Sequence, residues 1–276
     1  MLHTVIETSL HPKQENVLSM TALLLNALKK AGRRTTKYFK LIQKTKDQNE
    51  RIMIRSVAER DSREILLRAI GNSKLCEICD VTTENASVRS EHSYTLVLDA
   101  LDGMNNFRLI PNYAVSASIL QGDNILFGAV YNPVLGTLYS AHKKGTFRNG
   151  KPISVNEVSD ISESTVAYIY EHRRTLNATR RDLFDLLDHN IKRVMMDRSP
   201  SNNFCLLAEG KIEAVICDQE SIFDFSAGKI IAEEAGAITN YMQNNNSKDT
   251  NNTFVTTNAS PLLSTAIGTI FKRHLA

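Results

Sequence analysis

Asp99-Ala-Leu-Asp102-Gly103 closes an apolar run from Tyr94 to Leu98, and the residue types there suit one kind of chemistry. Two carboxylates three residues apart, at the end of a strand expected to be buried, repel each other. They resist ionisation unless a cation lies between them. Hard oxygen donors of this kind suit Mg²⁺, which keeps several waters and commonly takes one or two carboxylates together with substrate phosphate. The Leu101 carbonyl adds a neutral oxygen. Gly103 lets the chain turn, so that backbone N–H groups at the expected start of a helical turn can hold a phosphate. Alone, Asp-x-x-Asp-Gly is equally a solvated acidic turn.

Other acids accompany it. Ile222-Phe-Asp224-Phe-Ser-Ala-Gly228 puts a carboxylate between an expected strand and an expected helix, where Asp is also a common N-cap. Asp61 and Glu64 stand three apart on an expected helix and so share a face, as solvated helix acids also do. Each has an ordinary reading by itself. Their coincidence points to a site for phosphate chemistry.

The elements that must position these residues follow from periodicity. Residues 15–45 read as a long helix with Leu18, Leu24, Leu25, Leu28 and Ala31 at helical spacing, and Glu59 to Ile70 as a second. Strand patterns follow at Leu96–Leu98, Ala114–Leu120, Ile125–Tyr131, Thr137–Ala141 and Gly145–Phe147, with a hairpin signal at Gln121–Asn124. After Pro152 strands and helices alternate. Val166–Tyr170, Arg193–Met196, Ile212–Cys217 and Phe254–Thr257 read as strands, and Ala178–His189, Asn202–Glu209, Phe225–Ala235 and Pro261–His274 as helices. Asn244–Asn252 reads as an exposed loop. The pattern predicts an α/β fold of alternating sheet and helix layers. It divides loosely near 153–163 into an N-terminal α+β half, 1–155, carrying the metal loop, and a C-terminal α/β half, 156–276, completing the site.

Bulk properties narrow the class. The 276 residues are 42% hydrophobic and 23% charged, with a net charge of +3, which is ordinary for a folded protein and too small to require a polyanionic partner. Lys29 to Arg55 is the exception, with ten Lys/Arg against Asp47 and Glu50. It is read first as a solvated helix face and second as a contact for nucleic acid or an acidic protein. Met1–Gln14 has no apolar core of a signal peptide, and no run approaches the ~18 apolar residues of a membrane span. A cytoplasmic location with reduced Cys76, Cys79, Cys205 and Cys217 is therefore expected. Cys76-Glu-Ile-Cys79 lacks a matching ligand pair for zinc.

Together the motifs resemble the inositol monophosphatase family of Mg²⁺-dependent, lithium-sensitive phosphatases. The signature Asp-Pro-(Ile/Leu)-Asp-Gly-Thr-x-Asn-Phe stands here as Asp99-Ala-Leu-Asp-Gly-Met-Asn-Asn-Phe107, and Trp-Asp-x-Ala-Ala-Gly stands as Phe223-Asp-Phe-Ser-Ala-Gly228. Glu234-Ala-Gly-Ala237, Gly128-Ala-Val-Tyr-Asn-Pro133 and Gly145-Thr-Phe-Arg-Asn-Gly150 also match family segments. The resemblance implies a layered αβαβα sandwich of the sugar phosphatase type. It also implies a homodimer that hydrolyses phosphate monoesters of inositol or a related sugar or polyol. By position, Asp99, Asp102 and Asp224 would hold one Mg²⁺, and Asp99 with the Leu101 carbonyl would contribute to another. Asp61 matches the helix aspartate that works with the catalytic threonine and water. Gly103, Met104, Asn105, Arg198 and Ser199 fall at substrate-binding positions.

The departures fall at the chemistry. The family's Gly-Glu-Glu aligns without gaps onto Ile78-Cys79-Asp80, and soft, mostly neutral Cys79 cannot replace a carboxylate on Mg²⁺, though Glu77 or Asp80 could compensate. Met104 replaces the catalytic threonine, Arg198 a glycine, and Ala58 a further threonine. Cys217 stands where an acid contacts inositol hydroxyls, with Asp218 beside it. The expectation is a phosphatase with weakened or altered activity. The alternative is a catalytically lapsed binding or regulatory protein of the kind that acts in transcription or ribosomal RNA synthesis, making contact through Lys29–Arg55.

Overall fold

The computed structural model describes residues 12–73, 79–83, 86–88, 94–142, 145–170, 178–241 and 252–275. Helices α1 (Pro12–Ile42) and α2 (Gln48–Gly71) form the first layer. Helix α2 starts well upstream of Glu59, because Asp47 caps it by accepting the Glu50 N–H at 2.7 Å. Every fourth residue from Ile54 through Ala58, Ser62 and Leu66 to Ile70 is buried, so a single continuous stripe fixes the phase of the helix. Leu24, Leu28, Ala31, Leu66 and Ile70 pack on Leu96, Leu98, Val115 and Ala117 of the sheet beneath.

That sheet contains β1 (Cys79–Thr83), β2 (Ala86–Val88), β3 (Tyr94–Asp102), β4 (Ala114–Gln121), β5 (Asn124–Asn132), β6 (Thr137–His142), β7 (Gly145–Arg148) and β8 (Lys151–Pro152). The order is β2-β1-β3-β4-β5-β6-β7-β8, antiparallel except for the parallel pair β1 and β3. The second sheet has the order β10-β9-β11-β13-β12 and is built from β9 (Thr165–Tyr170), β10 (Arg193–Met195), β11 (Ala214–Glu220), β12 (Ile238–Tyr241) and β13 (Asn252–Thr257). Strands β10 and β11 flank β9 in parallel, and β13 returns antiparallel.

Helices α4 (Pro200–Ala208) and α5 (Ile222–Glu234) fill the space between the sheets. Phe204, Phe225 and Ile231 meet Val130 and Ala141 on one side, and Ile169, Val215 and Phe254 on the other. Full burial of each such side chain contributes roughly 1.5–3 kcal/mol. Helices α3 (Ala178–Asn190) and α6 (Pro261–Leu275) cover the outer face of the second sheet through Leu183, Leu187, Leu263 and Ile267. The layering is αβαβα, as the resemblance implies. Among the described residues no helix is long and apolar enough to cross a membrane. Residues 242–251, which include most of the expected Asn-rich loop, lie outside the described residues.

Two glycines set how closely α5 approaches its neighbours. A Cβ on Gly128 of β5 would meet the Ala227 carbonyl oxygen at 2.6 Å, and one on Gly228 would meet Phe204 Cβ at 2.7 Å. A side chain at Gly128 would push α5, and Asp224 with it, off the first sheet, and one at Gly228 would push α5 away from α4.

Candidate metal centre

Residues three apart on a regular strand face opposite sides of the sheet. Strand β3 escapes this at Asp99, which pairs with Ser116, while Asp102 pairs with Ala114, so three steps on β3 match two on β4. The extra residue is a β-bulge, and it returns Asp102 to the face of Asp99. Asp99 Oδ1 accepts the Leu101 N–H at 2.9 Å and stabilises the bend. Asp224 arrives from α5. Ser221 is the N-cap, which places Asp224 inside the first turn rather than at the cap.

Carboxylate oxygens of Asp99, Asp102 and Asp224 all lie within 4.8 Å of one another. Asp99 is 4% and Asp102 2% exposed, so water screens their repulsion poorly. Asp102 Oδ2 accepts the Ser199 hydroxyl at 2.8 Å, whereas its Oδ1 is buried with no hydrogen bond. Burial holds the Asp102 carboxyl well above the usual carboxylate range; the charges of Asp224 and Asp197 add to this, and the Ser199 and Ser201 hydrogen bonds oppose it. Leaving a buried acceptor unfilled costs about 1–3 kcal/mol. Three hard oxygen donors and an unfilled buried acceptor fit a divalent cation of the Mg²⁺ type.

The other side of the centre departs from the sequence expectations. Asp61 does not face the acidic loop. It lies across the α1–α2 contact, where Arg34 Nη2 approaches it at 2.7 Å and the Tyr38 hydroxyl donates a short hydrogen bond. The Tyr38 bond, with help from Arg34, holds its carboxyl below the usual range despite partial burial. The physical reason is helical phase: two residues are roughly half a turn apart, so Glu59 and Arg63 face where Asp61 cannot. Those two, 3.3 Å apart, line a cavity with Thr83, Asp99, Leu101 and Met104 that has about 10 Å³ of room, space for about one water. Glu59 and Arg63 are the residues the sequence reading missed. A buried i, i+4 stripe through Ala58 and Ser62 is the signal that could have found them.

Strand register corrects Cys79 as well. Cys79 pairs with Tyr94, five residues before Asp99, while Thr83 pairs with Leu98 immediately before it. The gapless spacing therefore chose the wrong end of β1. Asp80, paired with Thr95, starts the strand with Cys79. The Cys79 and Asp80 side chains, and Glu77 altogether, lie outside the described residues.

Gly103 adopts φ +76°, and a Cβ there would meet the Asn112 carbonyl oxygen at 2.8 Å, so no other residue fits the turn. Met104 is partly buried against the cluster of Ile42, Ile54, Ala58, Leu101, Phe107 and Tyr113. Asn105 precedes a 3-10 turn, Asn106–Arg108, and its side chain makes no cap bond. Arg198 takes φ +54°, a conformation that suits the family's glycine, and its guanidinium stacks over Tyr170 at 4.6 Å. Ser199 is buried and its hydroxyl is committed to Asp102, so it supports the acidic loop rather than lining a substrate pocket. Cys217 is fully buried in the core beside Phe254 and Ile169, and burial pushes its thiol pKa up, helped by the charges of Glu220, Asp224 and Asp218. It offers nothing to a sugar. Neighbouring Asp218 is buried too and accepts the Tyr168 hydroxyl at 3.0 Å.

Comparison with known proteins agrees with this architecture. The chain is 32% identical over 152 residues to human inositol monophosphatase 1, covering 52% of this chain and 54% of that protein. It is 25% identical over 181 residues to the Nus factor SuhB of Buchnera aphidicola, covering 62% and 65%. The matched stretches thus span about half to two-thirds of these relatives' own lengths. The inositol monophosphatase structure from Anabaena superposes with a TM-score of 0.79 at 21% identity, covering 94% of this chain and 97% of that one. The model of the inositol monophosphatase family matches residues 16–274, and the chain belongs to that family.

Proposed function

We propose that the protein is a Mg²⁺-dependent phosphomonoesterase acting on inositol monophosphate or a related sugar or polyol phosphate. The observation that carries this reading is the convergence of Asp99, Asp102 and Asp224 with the unfilled Asp102 Oδ1. Asp99, Asp102 and Asp224 hold the cation, with the Leu101 carbonyl as an additional oxygen. When bound, Mg²⁺ supplies charge neutralisation for the phosphoryl oxygens and lowers the pKa of a coordinated water.

The chain's own residues supply the rest. The Gly103 and Met104 backbone N–H groups, in the turn after Asp102, hold phosphate oxygens. Glu59, beside the one-water cavity, orients water and accepts its proton, and Arg63, 3.3 Å away, holds that carboxylate in place. Met104 offers no hydroxyl to this relay, and loss of positioned acid–base help typically costs ~10²–10⁴ in rate. Slow turnover is therefore expected. The test is Mg²⁺-dependent phosphate release from inositol-1-phosphate, with Asp99→Asn as control. Activity abolished by that change supports the reading, and activity no higher than the control's overturns it.

One observation favours a second reading, a regulatory protein that meets a polyanion. Lys30, Arg33, Lys37 and Lys40 are exposed on α1 at steps of three and four residues, forming one face, and Lys44 is exposed in the turn just after it. Residues 16–46 contain no Asp or Glu. The relative named as a Nus factor makes RNA or the transcription machinery the partner to test. Binding to structured RNA that weakens steeply with salt and is lost on Lys→Glu change at Lys37 and Lys40 supports it.

A further inference from the structure

Behind the acidic loop lies a polar relay that the motifs do not predict. Asp197, just before α4, accepts the Asn112 amide on Oδ2 at 2.7 Å. Its Oδ1 accepts the Asn203 amide at 2.8 Å and the Ser199 backbone N–H at 3.3 Å. Asn112 Oδ1 accepts from Asn202 Nδ2 at 2.9 Å, and the same Asn202 amide donates to Ser199 Oγ at 2.9 Å. Ser199 Oγ then donates to Asp102 Oδ2. Asn132 closes the far side by donating to the Asn202 carbonyl oxygen at 3.4 Å.

The direction of every bond in this relay follows from its head. A carboxylate can only accept, so Asn112 must turn its NH₂ to Asp197 and its carbonyl to Asn202. Asn202 must then present NH₂ to both Asn112 and Ser199. A hydroxyl that already accepts from Asn202 has its proton left for Asp102. We propose that Asp197 is a positioning residue for the cation: acting through Asn112, Asn202 and Ser199, it fixes which Asp102 oxygen is bonded to protein and which is left for metal. With a neutral amide in its place, Asn112 can rotate, Ser199 can turn its proton elsewhere, and Asp102 loses the hydroxyl that marks one of its oxygens for protein. The inference rests on the reading of Asp99, Asp102 and Asp224 as a metal centre.

Outer partners of metal ligands typically govern affinity by 10–100-fold. The test is Mn²⁺ binding by equilibrium dialysis to the full chain, Mn²⁺ being another hard divalent ion. Asp197→Asn and Ser199→Ala should each weaken binding about tenfold. The double variant should bind no more than about threefold more weakly than the weaker single, because both cut one relay, whereas independent or merely structural effects multiply. Asn112→Ala, at a partly buried position, breaks the relay midway and should reproduce the loss if Asp197→Asn fails to fold. Binding unchanged in Asp197→Asn, or unchanged in Asn112→Ala, overturns the proposal, and so do losses that multiply in the double. A different outcome overturns the metal centre itself and this inference with it: wild-type protein that does not bind Mn²⁺, or Asp99→Asn protein that binds it equally well.

Discussion

The two banks of the candidate centre have diverged to different degrees. On one, β3, α4 and α5 bring three carboxylates together and brace them with Ser199 and the asparagine relay. On the other, α2 and β1 present Glu59, Arg63 and Thr83, with Met104 from the turn after β3, around space for about one water. The first bank keeps the residue types of the family motif; the second changes them and shifts their positions. Under the proposed function, cation binding and water activation fall to different banks, and one can weaken while the other survives.

The largest expected effect breaks the first bank. Asp99→Asn or Asp102→Asn should abolish Mg²⁺ binding by calorimetry and all metal-dependent phosphate release. Asp102→Asn should also raise the Tm of the metal-free protein at neutral pH, because it removes a charge held at a cost. The pH dependence has a definite sign. A carboxyl with a raised pKa in the folded state contributes stability that is full below its unfolded pKa and lost as pH rises through the folded value. Metal-free protein should therefore lose Tm as pH rises out of the acid range toward neutral, and Mg²⁺ should restore most where the loss is greatest. Thermal melts with and without Mg²⁺ across that range measure this directly, and an equal Mg²⁺ effect at every pH would contradict it.

Next in size is a pair of substitutions that sharpens the second bank. Glu59→Gln should lower kcat by ~10² with little change in Mg²⁺ affinity, as removal of a positioned base does. Asp61→Asn should leave kcat nearly intact and lower Tm slightly, since an ion pair with the half-exposed Arg34 is worth little. The reverse ranking in steady-state kinetics would return the role to Asp61 and refute the phase of α2.

How far the site was legible follows from how each residue is held. Asp99, Asp102 and Asp224 were readable because their placement depends on short-range features, a strand end with Gly103 behind it and a helix start. Asp61 was misread because its direction depends on the buried stripe from Ile54 to Ile70, and a helix read only from Glu59 leaves out the Ile54 and Ala58 that fix the stripe. Cys79 was misread because spacing along the chain does not encode the register of a parallel pair; only the β1–β3 ladder does. The five-layer architecture was legible as alternating periodicities, whereas β1 and β2, short and weakly apolar, were not. Ser199 and its asparagines carry no sequence pattern, because the bonds that tie them to Asp102 and Asn112 join residues 97 and 90 positions apart.

The smallest expected effect tests that register. If Cys79 stood beside Asp99, Cys79→Glu should raise turnover, alone or with Met104→Thr. With Thr83 at the level of Leu98 and Cys79 back at Tyr94, a carboxylate at position 79 is too far along the strand to help. Met104→Thr should then give the whole gain, roughly tenfold if the hydroxyl regains part of its share, and adding Cys79→Glu should change kcat by less than about twofold. Thr83 is followed in the sequence by Glu84, outside the described residues, and Glu84→Gln belongs in the same kinetic series. A loss there together with silence at Cys79 would agree with the β1–β3 pairing, which brings Thr83, not Cys79, to the level of Leu98. A gain from Cys79→Glu alone would mean that the register, not the spacing, is the misleading guide.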